Sequence, residues 1–204
     1  MLFDDTYRTI SKPTEGIFRD RGSKFLAFAY PISSDSEVKT ILSKLKAGHP
    51  KANHHCWAVR IGVDRSVFRV NDDGEPSGTA GRPILNTLLS KDLTNVIVVV
   101  VRYFGGTLLG VPGLIGAYKA ATEEALAQAQ VIAKTVNDVY TITFGYEQMN
   151  DVMRIMKDEQ LLVLENRQEL HCELKFSVRK TQVEPVITKL NKILSLKAVY
   201  NYSG

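Results

Sequence analysis

The chain has 204 residues, 44% hydrophobic and 24% charged, with a net charge of +4. That composition suits a globular protein with a real core, and its longest apolar run, Val96–Val101, is far short of the ~20 residues that span a bilayer. Residues 1–132 hold 16 basic and 13 acidic side chains and residues 133–204 hold 10 and 9, which excludes a broadly basic surface and leaves only local patches for nucleic acid.

At the amino terminus, Asp4 and Asp5 stand where a signal peptide needs a basic region, so a cytoplasmic location is expected. Cys56 and Cys172 are the only cysteines, each in a strand-like pattern, which predicts reduced thiols rather than a disulfide framework. Gly16–Asp20 and Arg21–Ser23 read as turns, followed by a strand over Lys24–Ile32. Val38, Ile41, Leu42 and Leu45 predict a helix over Ser34–Ala47, with Ser36 as a cap and Gly48 and Pro50 as its stop. Asn53–Ile61 alternates as a strand, with Ser66–Val70 as its hairpin partner.

From Asn71 to Gly116 the chain carries eight of its fourteen glycines, a density that predicts positive φ or close backbone approach. Two glycine-rich loops, Asn71–Arg82 and Gly105–Gly113, each meet a proline at the start of a helical pattern, Pro83–Lys91 and Val111–Gln130. Between them Val96–Val101 predicts a strand buried on both faces. Beyond Lys134 the expected elements are a strand (Val136–Tyr146), a helix (Glu147–Glu159) and a strand (Leu161–Leu164), then a turn (Glu165–Glu169). After it come an alternating strand with Leu170, Cys172, Leu174, Phe176 and Val178 inward, a helix through Val183–Ile193 and a last strand (Leu196–Tyr202). That order, βαββαβ, predicts a ferredoxin-like domain and a boundary near Val131–Val136.

Three chemistries compete for the glycine loops. If Pro83 and Pro112 occupy first helical turns, the N–H groups of Ile84, Leu85, Gly113 and Leu114 are open to an anion, with Ser77, Thr79 and Arg82 adding polar groups. Purely structural helix capping is equally compatible with these residues. Gly105–Gly110 has P-loop glycine spacing but continues into Val111-Pro112 instead of Lys-Ser/Thr, and there is no G-x-G-x-x-G. Asp72, Asp73 and Glu75 resemble a Mg²⁺ site for phosphoester or nucleotide chemistry, but also an ordinary solvated turn. His54-His55-Cys56 places at most two zinc ligands on one strand face, so no structural metal is expected. Lys44, Lys46, His49, Lys51 and Arg60 make a loose basic set beside that strand.

The stretches NDDGEPSGTAGRPIL and VVRYFGGTLLG, with HHCWAVRIG at His54–Gly62 and the pairs Gly113-Leu114 and Ala117-Tyr118, resemble the signature of the YigZ/IMPACT family across roughly Gly16–Leu126. The rest resembles the small carboxy-terminal domain of bacterial two-domain members. The resemblance implies an α+β protein. Its residues 1–132 would form an α/β sandwich of the ribosomal-protein/ribonuclease-PH type, and residues 133–204 a domain like one in elongation factor G. It implies regulation of translation through RNA or a ribosome-associated protein, with no cofactor and no established catalysis. Where the family pattern has a glycine and an arginine, this chain has Pro112 and Gly116.

The expected ligand-binding set is Asp72, Asp73, Gly74, Glu75, Ser77, Thr79, Gly81 and Arg82 on the first loop. Arg102, Tyr103, Phe104, Gly105, Gly106, Gly110 and Gly113 complete it at the strand exit and second loop. Tyr103 and Phe104 offer aromatic surface for a base or a partner side chain.

Overall fold

The computed structural model describes residues 5–62 and 67–204. The chain is mixed α and β and divides into two compact units, Tyr7–Lys134 and Thr135–Gly204, the latter also taking in Asp5 and Thr6. No helix among the described residues is long and apolar enough to cross a membrane.

The larger unit contains β1 (Thr6–Ile10), β2 (Thr14–Asp20), β3 (Ser23–Pro31), α1 (Ser36–Gly48), β4 (His54–Ile61), β5 (Val67–Asn71), α2 (Gly81–Ser90), β6 (Val96–Tyr103), α3 (Gly110–Ala127) and β7 (Val131–Thr135). Its main sheet runs β2-β3-β6-β4-β5, and every ladder is antiparallel. The valine run is the central strand β6. Val96, Val98 and Val100 pack with α2 and α3 through Ile84, Leu88, Ala117 and Tyr118. Ile97, Val99 and Val101 pack on the other face with Val38 and Leu45 of α1. Helices on both faces explain why an antiparallel strand has the continuous apolar sequence more usual in parallel sheets.

Gly16–Asp20 is strand rather than turn, paired from Thr14↔Ala29 to Asp20↔Ser23. Only Arg21 and Gly22, both at positive φ, make the reversal. The glycine that suggested a turn serves packing: a Cβ on Gly16 would lie 2.2 Å from the Ala125 backbone nitrogen, so α3 rests directly on β2. Two further strands were not expected, β1 and β7, which pair as a separate two-stranded sheet, so the segment proposed as a boundary is itself a paired strand. Ser36 does not cap α1, which starts after Asp35; instead the Glu37 carboxylate accepts the N–H groups of Ser33 at 2.7 Å and Ser34 at 3.0 Å. Ser66 lies outside the described residues.

The smaller unit contains β8 (Asn137–Phe144), α4 (Met149–Asp158), β9 (Leu162–Gln168), β10 (Cys172–Arg179), α5 (Val183–Leu190) and β11 (Lys197–Ser203), with sheet order β11-β8-β10-β9. Ile142, Phe144, Leu174, Phe176 and Val178 pack against Val152, Met156, Val186 and Leu190 of the two helices. Glu165–Gln168 extends β9 instead of turning, because edge pairing reaches Cys172↔Gln168 and Glu165 meets both Lys175 and Arg167. Leu170 faces solvent at 93% exposure, since the ladder with β8 starts only at Cys172↔Phe144.

Candidate functional site

The first glycine loop is organised by its own acids. Asp72 Oδ1 accepts the N–H groups of Ala80 at 3.1 Å and Gly81 at 2.8 Å, and Oδ2 accepts that of Gly78 at 2.9 Å. The amino terminus of α2 therefore already holds an anion, a carboxylate from its own chain. Pro83 is the third residue of α2 rather than the first, and the Ile84 N–H is spent on the Ala80 carbonyl at 3.2 Å. The expected phosphate site on this helix is thus closed. Pro112 is likewise third in α3.

Asp73, at a positive φ of 43°, accepts the His55 N–H at 2.6 Å and stands 3.8 Å from Lys46 Nζ. Its carbonyl lies 2.8 Å from His54 Nδ1. A carbonyl only accepts, so this nitrogen carries a proton, and Nε2 is the acceptor of the ring in its neutral form. Burial pushes the neighbouring His55 imidazole below its ordinary pKa, with Asp73 opposing.

Glu75 turns inward, where its Oε1 accepts Arg102 Nη1 at 2.6 Å and the Tyr118 hydroxyl at 2.7 Å. The acids thus serve three different tasks, and the Mg²⁺ arrangement loses its ligands. Among the described residues no three His, Cys, Asp or Glu side chains are grouped to hold a metal. Cys56 is also inward, its sulfur 3.0 Å from the Asp72 carbonyl and 3.3 Å from the Tyr118 hydroxyl. Burial drives both the thiol and this phenol well above their ordinary pKa values. Neither is a nucleophile at neutral pH.

Arg102 lies between two aromatic rings, 5.4 Å from the Phe25 centroid and 5.5 Å from that of Phe104. Nη2 reaches Ser23 Oγ at 3.5 Å, while Nε is enclosed without a hydrogen-bond partner. The second loop is fixed at its root by Phe104 N–H to Asn53 Oδ1 at 2.9 Å and Gly105 N–H to Ser23 Oγ at 3.2 Å. A Cβ on Gly105 would come within 1.9 Å of the Gly22 carbonyl carbon. The glycine therefore allows two backbones to cross rather than leaving room for a ligand.

These elements enclose a cleft of about 360 Å³, lined by the polar side chains of Asn53, His54, Glu75 and Arg102 and by Phe104, Leu108, Leu109, Gly110, Val111 and Leu114. Leu108 is 82% exposed, and Phe104 and Val111 are also exposed. Of the expected ligand set, Glu75, Arg102, Phe104 and Gly110 meet here. Tyr103 does not, because alternation along β6 sends it to the other sheet face, where its hydroxyl meets His49 Nδ1 at 2.9 Å. Arg82 lies in a different groove between α2 and α3, with Asn86 and Lys119. Thr79 bonds back to the Pro76 carbonyl at 2.7 Å, and Ser77 is exposed on the loop. Gly74, Gly78, Gly106 and Gly110 take positive φ, Gly81 and Gly113 are helical residues, and Gly116 is on the open side of α3, where an added Cβ would meet nothing within 4 Å. Arg60 does not join the expected basic set, being buried with Nη1 on the Leu93 carbonyl at 3.1 Å.

Sequence reasoning missed Asn53, Leu108 and Val111 at this cleft and Tyr118 beneath it. The one available signal was the apolar Leu108-Leu109 inside a glycine loop, where solvated turns usually carry polar residues.

The Impact N-terminal domain family matches residues 21–126. An IMPACT family member from Haemophilus influenzae is 30% identical over 172 residues, covering 83% of this chain and 84% of its own. The Escherichia coli family member YigZ is 35% identical over 136 residues, 66% of this chain and 67% of its own. A solved structure described as a hypothetical protein superposes with a TM-score of 0.74 at 27% identity, covering 97% of this chain and 98% of its own. The two-domain translational regulator Yih1 is 32% identical over 63% of this chain and 49% of its own, with a TM-score of 0.36 that carries no geometric comparison. By this family match and these identities, the chain belongs to the IMPACT family.

Proposed function

We propose that this protein is a non-catalytic regulator of translation that binds a ribosome-associated protein through the cleft above Glu75 and Arg102. Membership of the IMPACT family supports the translational setting, as does the sequence identity to Yih1, which is described as a translational regulator. The observation that carries the choice of ligand is the cleft itself: exposed apolar side chains at Phe104, Leu108 and Val111 stand over a base where Arg102 is already neutralised by Glu75. Phosphate binding draws on free cations and open helix N–H groups; at this cleft Arg102 is paired with Glu75, and the start of α2 is filled by Asp72. A protein side chain fits this mixture better than an RNA backbone does. The same reading takes the larger unit as a ribosomal-protein/ribonuclease-PH type sandwich and the smaller as a ferredoxin-like domain resembling one of elongation factor G. Its support is the βαββαβ order over a four-stranded antiparallel sheet.

The test is recovery of tagged protein from a lysate with and without ribonuclease, beside a folded Leu108→Asp/Val111→Asp variant. The expected result is a ribosome-associated protein that survives ribonuclease and is lost with the variant. Recovery of RNA alone, of nothing above background, or of the same partners by the variant would overturn the assignment.

A further inference from the structure

We propose that the cleft receives a basic side chain, lysine or arginine, of the partner protein, its charged head at Glu75 Oε2 and His54 Nε2 and its alkyl stem against Phe104, Leu108 and Val111. This rests on the functional reading above and names the chemistry of the partner. The Glu75 side chain is only 4% exposed, yet both of its hydrogen bonds go to Oε1. Oε2 receives none among the described residues and is not among the enclosed unpaired atoms, so it faces the cleft. A carboxylate oxygen open to the cleft and without a protein donor can accept a hydrogen bond from a ligand there.

The other groups at the base point the same way. The Arg102 charge is already matched: Nη1 is on Glu75, Nη2 reaches Ser23, and Nε is enclosed. His54 commits its Nδ1 proton to the Asp73 carbonyl, so in the neutral ring Nε2, 3.9 Å from Glu75 Oε1, is a second acceptor. With His54 in its neutral form, the nearby side-chain charges are Asp72, Asp73 and Glu75 against Arg102 and Lys46, an excess of one negative charge. At Oε2 itself Glu75 would repel a phosphate or carboxylate and attract a cation. The apolar rim then matches a side chain that buries a hydrocarbon stem and carries charge at its tip. The volume of about 360 Å³ is within the range of small-ligand pockets.

The test titrates the full-length protein with n-butylammonium and n-butylguanidinium at neutral pH, with n-butanol, butyrate and n-butyl phosphate as controls. Amide signals of Phe104, Gly106 and Gly110 and the ring signals of His54 are followed by NMR. Both cations are expected to saturate these signals, and the anions to bind at least about tenfold more weakly, as like-charge contact with Glu75 requires. Glu75→Gln should abolish the preference for cations. Should that variant not fold, Leu108→Ala, at an exposed position, should weaken the cations severalfold by removing stem contact. Anions that bind as well as the cations, cations that leave the cleft signals unmoved, or cation binding indifferent to Leu108→Ala would each overturn the proposal. If the cations do not bind while the Leu108→Asp/Val111→Asp variant still loses a ribosome-associated partner, this inference falls and the functional reading stands. Saturable cation binding in a protein that recovers no such partner supports the cleft chemistry and removes the translational reading.

Discussion

Replacing Asp72 should both destabilise the larger unit and create the anion site that this helix lacks. The carboxylate takes two N–H groups at the start of α2 and a third at Gly78. Loss of an N-cap acceptor costs about 1 kcal/mol, loss of the charge at the positive helix end ~0.3–1 kcal/mol, and the additional loop hydrogen bond about 1 kcal/mol. Asp72→Ala should therefore cost roughly 2–3 kcal/mol. Asp72→Asn should cost about half that, keeping one oxygen but aiming an amide donor at a backbone donor. The assay is urea unfolding followed by fluorescence of Trp57, the only tryptophan, on β4 of this unit. With a urea slope of ~1–3 kcal/mol/M, the midpoint should fall by about 1–2 M. Phosphate or sulfate should then restore part of the loss in Asp72→Ala, by binding the freed N–H groups, and do little for the wild type beyond its general salt effect. An unchanged midpoint, or a wild type rescued by phosphate as strongly as the variant, would refute the view that Asp72 is the resident anion.

Tyr118→Phe removes the phenol that donates to buried Glu75 at 2.7 Å; it should cost ~1.5–3 kcal/mol, as for other hydrogen bonds to charged groups, and an unchanged Trp57 unfolding midpoint would count against the network. In the smaller unit, the Asp5 carboxylate is held far below its ordinary pKa, first by its hydrogen bonds from Arg179 at 2.7 and 2.8 Å and then by the Thr181 hydroxyl at 2.6 Å. Because the folded pKa is depressed, the stabilisation is complete above the unfolded value of about 3.9 and drains away as pH falls below it. NMR signals of Ile142 across an acid series should show this loss, and Asp5→Asn should flatten it; an equally steep acid limb in that variant would reject the assignment. Cys56 and Cys172 are both buried and free, so a thiol reagent should label neither in native protein and both in denaturant, and rapid native labelling of Cys56 would contradict its placement.

Where a sequence signal was local and periodic, it survived into the structure. The valine run became β6, and the spacing of Val38 and Leu45 became the buried face of α1. Edge strands were harder to see, because β2 and β9 carry polar residues and a glycine at positions that a central strand would fill with apolar ones. Leu170 shows the opposite error: alternation continues two residues past the place where the β8 ladder begins, so a residue with the right spacing has no sheet to bury it. Period alone does not mark where pairing starts.

The candidate site was legible as a stretch and illegible as a set of contacts, for a physical reason. Glycine density reports backbone constraint, not its purpose. Gly105 and Gly22, 83 positions apart, are small because their backbones cross, and sequence spacing gives no sign of that. The acids and arginines likewise sort by partners distant in the chain: Arg102 takes Glu75 rather than Asp72 or Asp73, and Tyr118, from α3, completes the pair. A buried ion pair of this kind is a weak stabiliser, since desolvation offsets most of the attraction and an apolar replacement of equal volume often does as well. A pair kept only for packing would be expected to satisfy both carboxylate oxygens. Here the donors converge on Oε1, the guanidinium is close to two rings, and Oε2 takes no donor from the described residues. On the proposed reading that oxygen is the acceptor a partner's basic side chain would meet, so the desolvation of the pair is offset on binding rather than in folding.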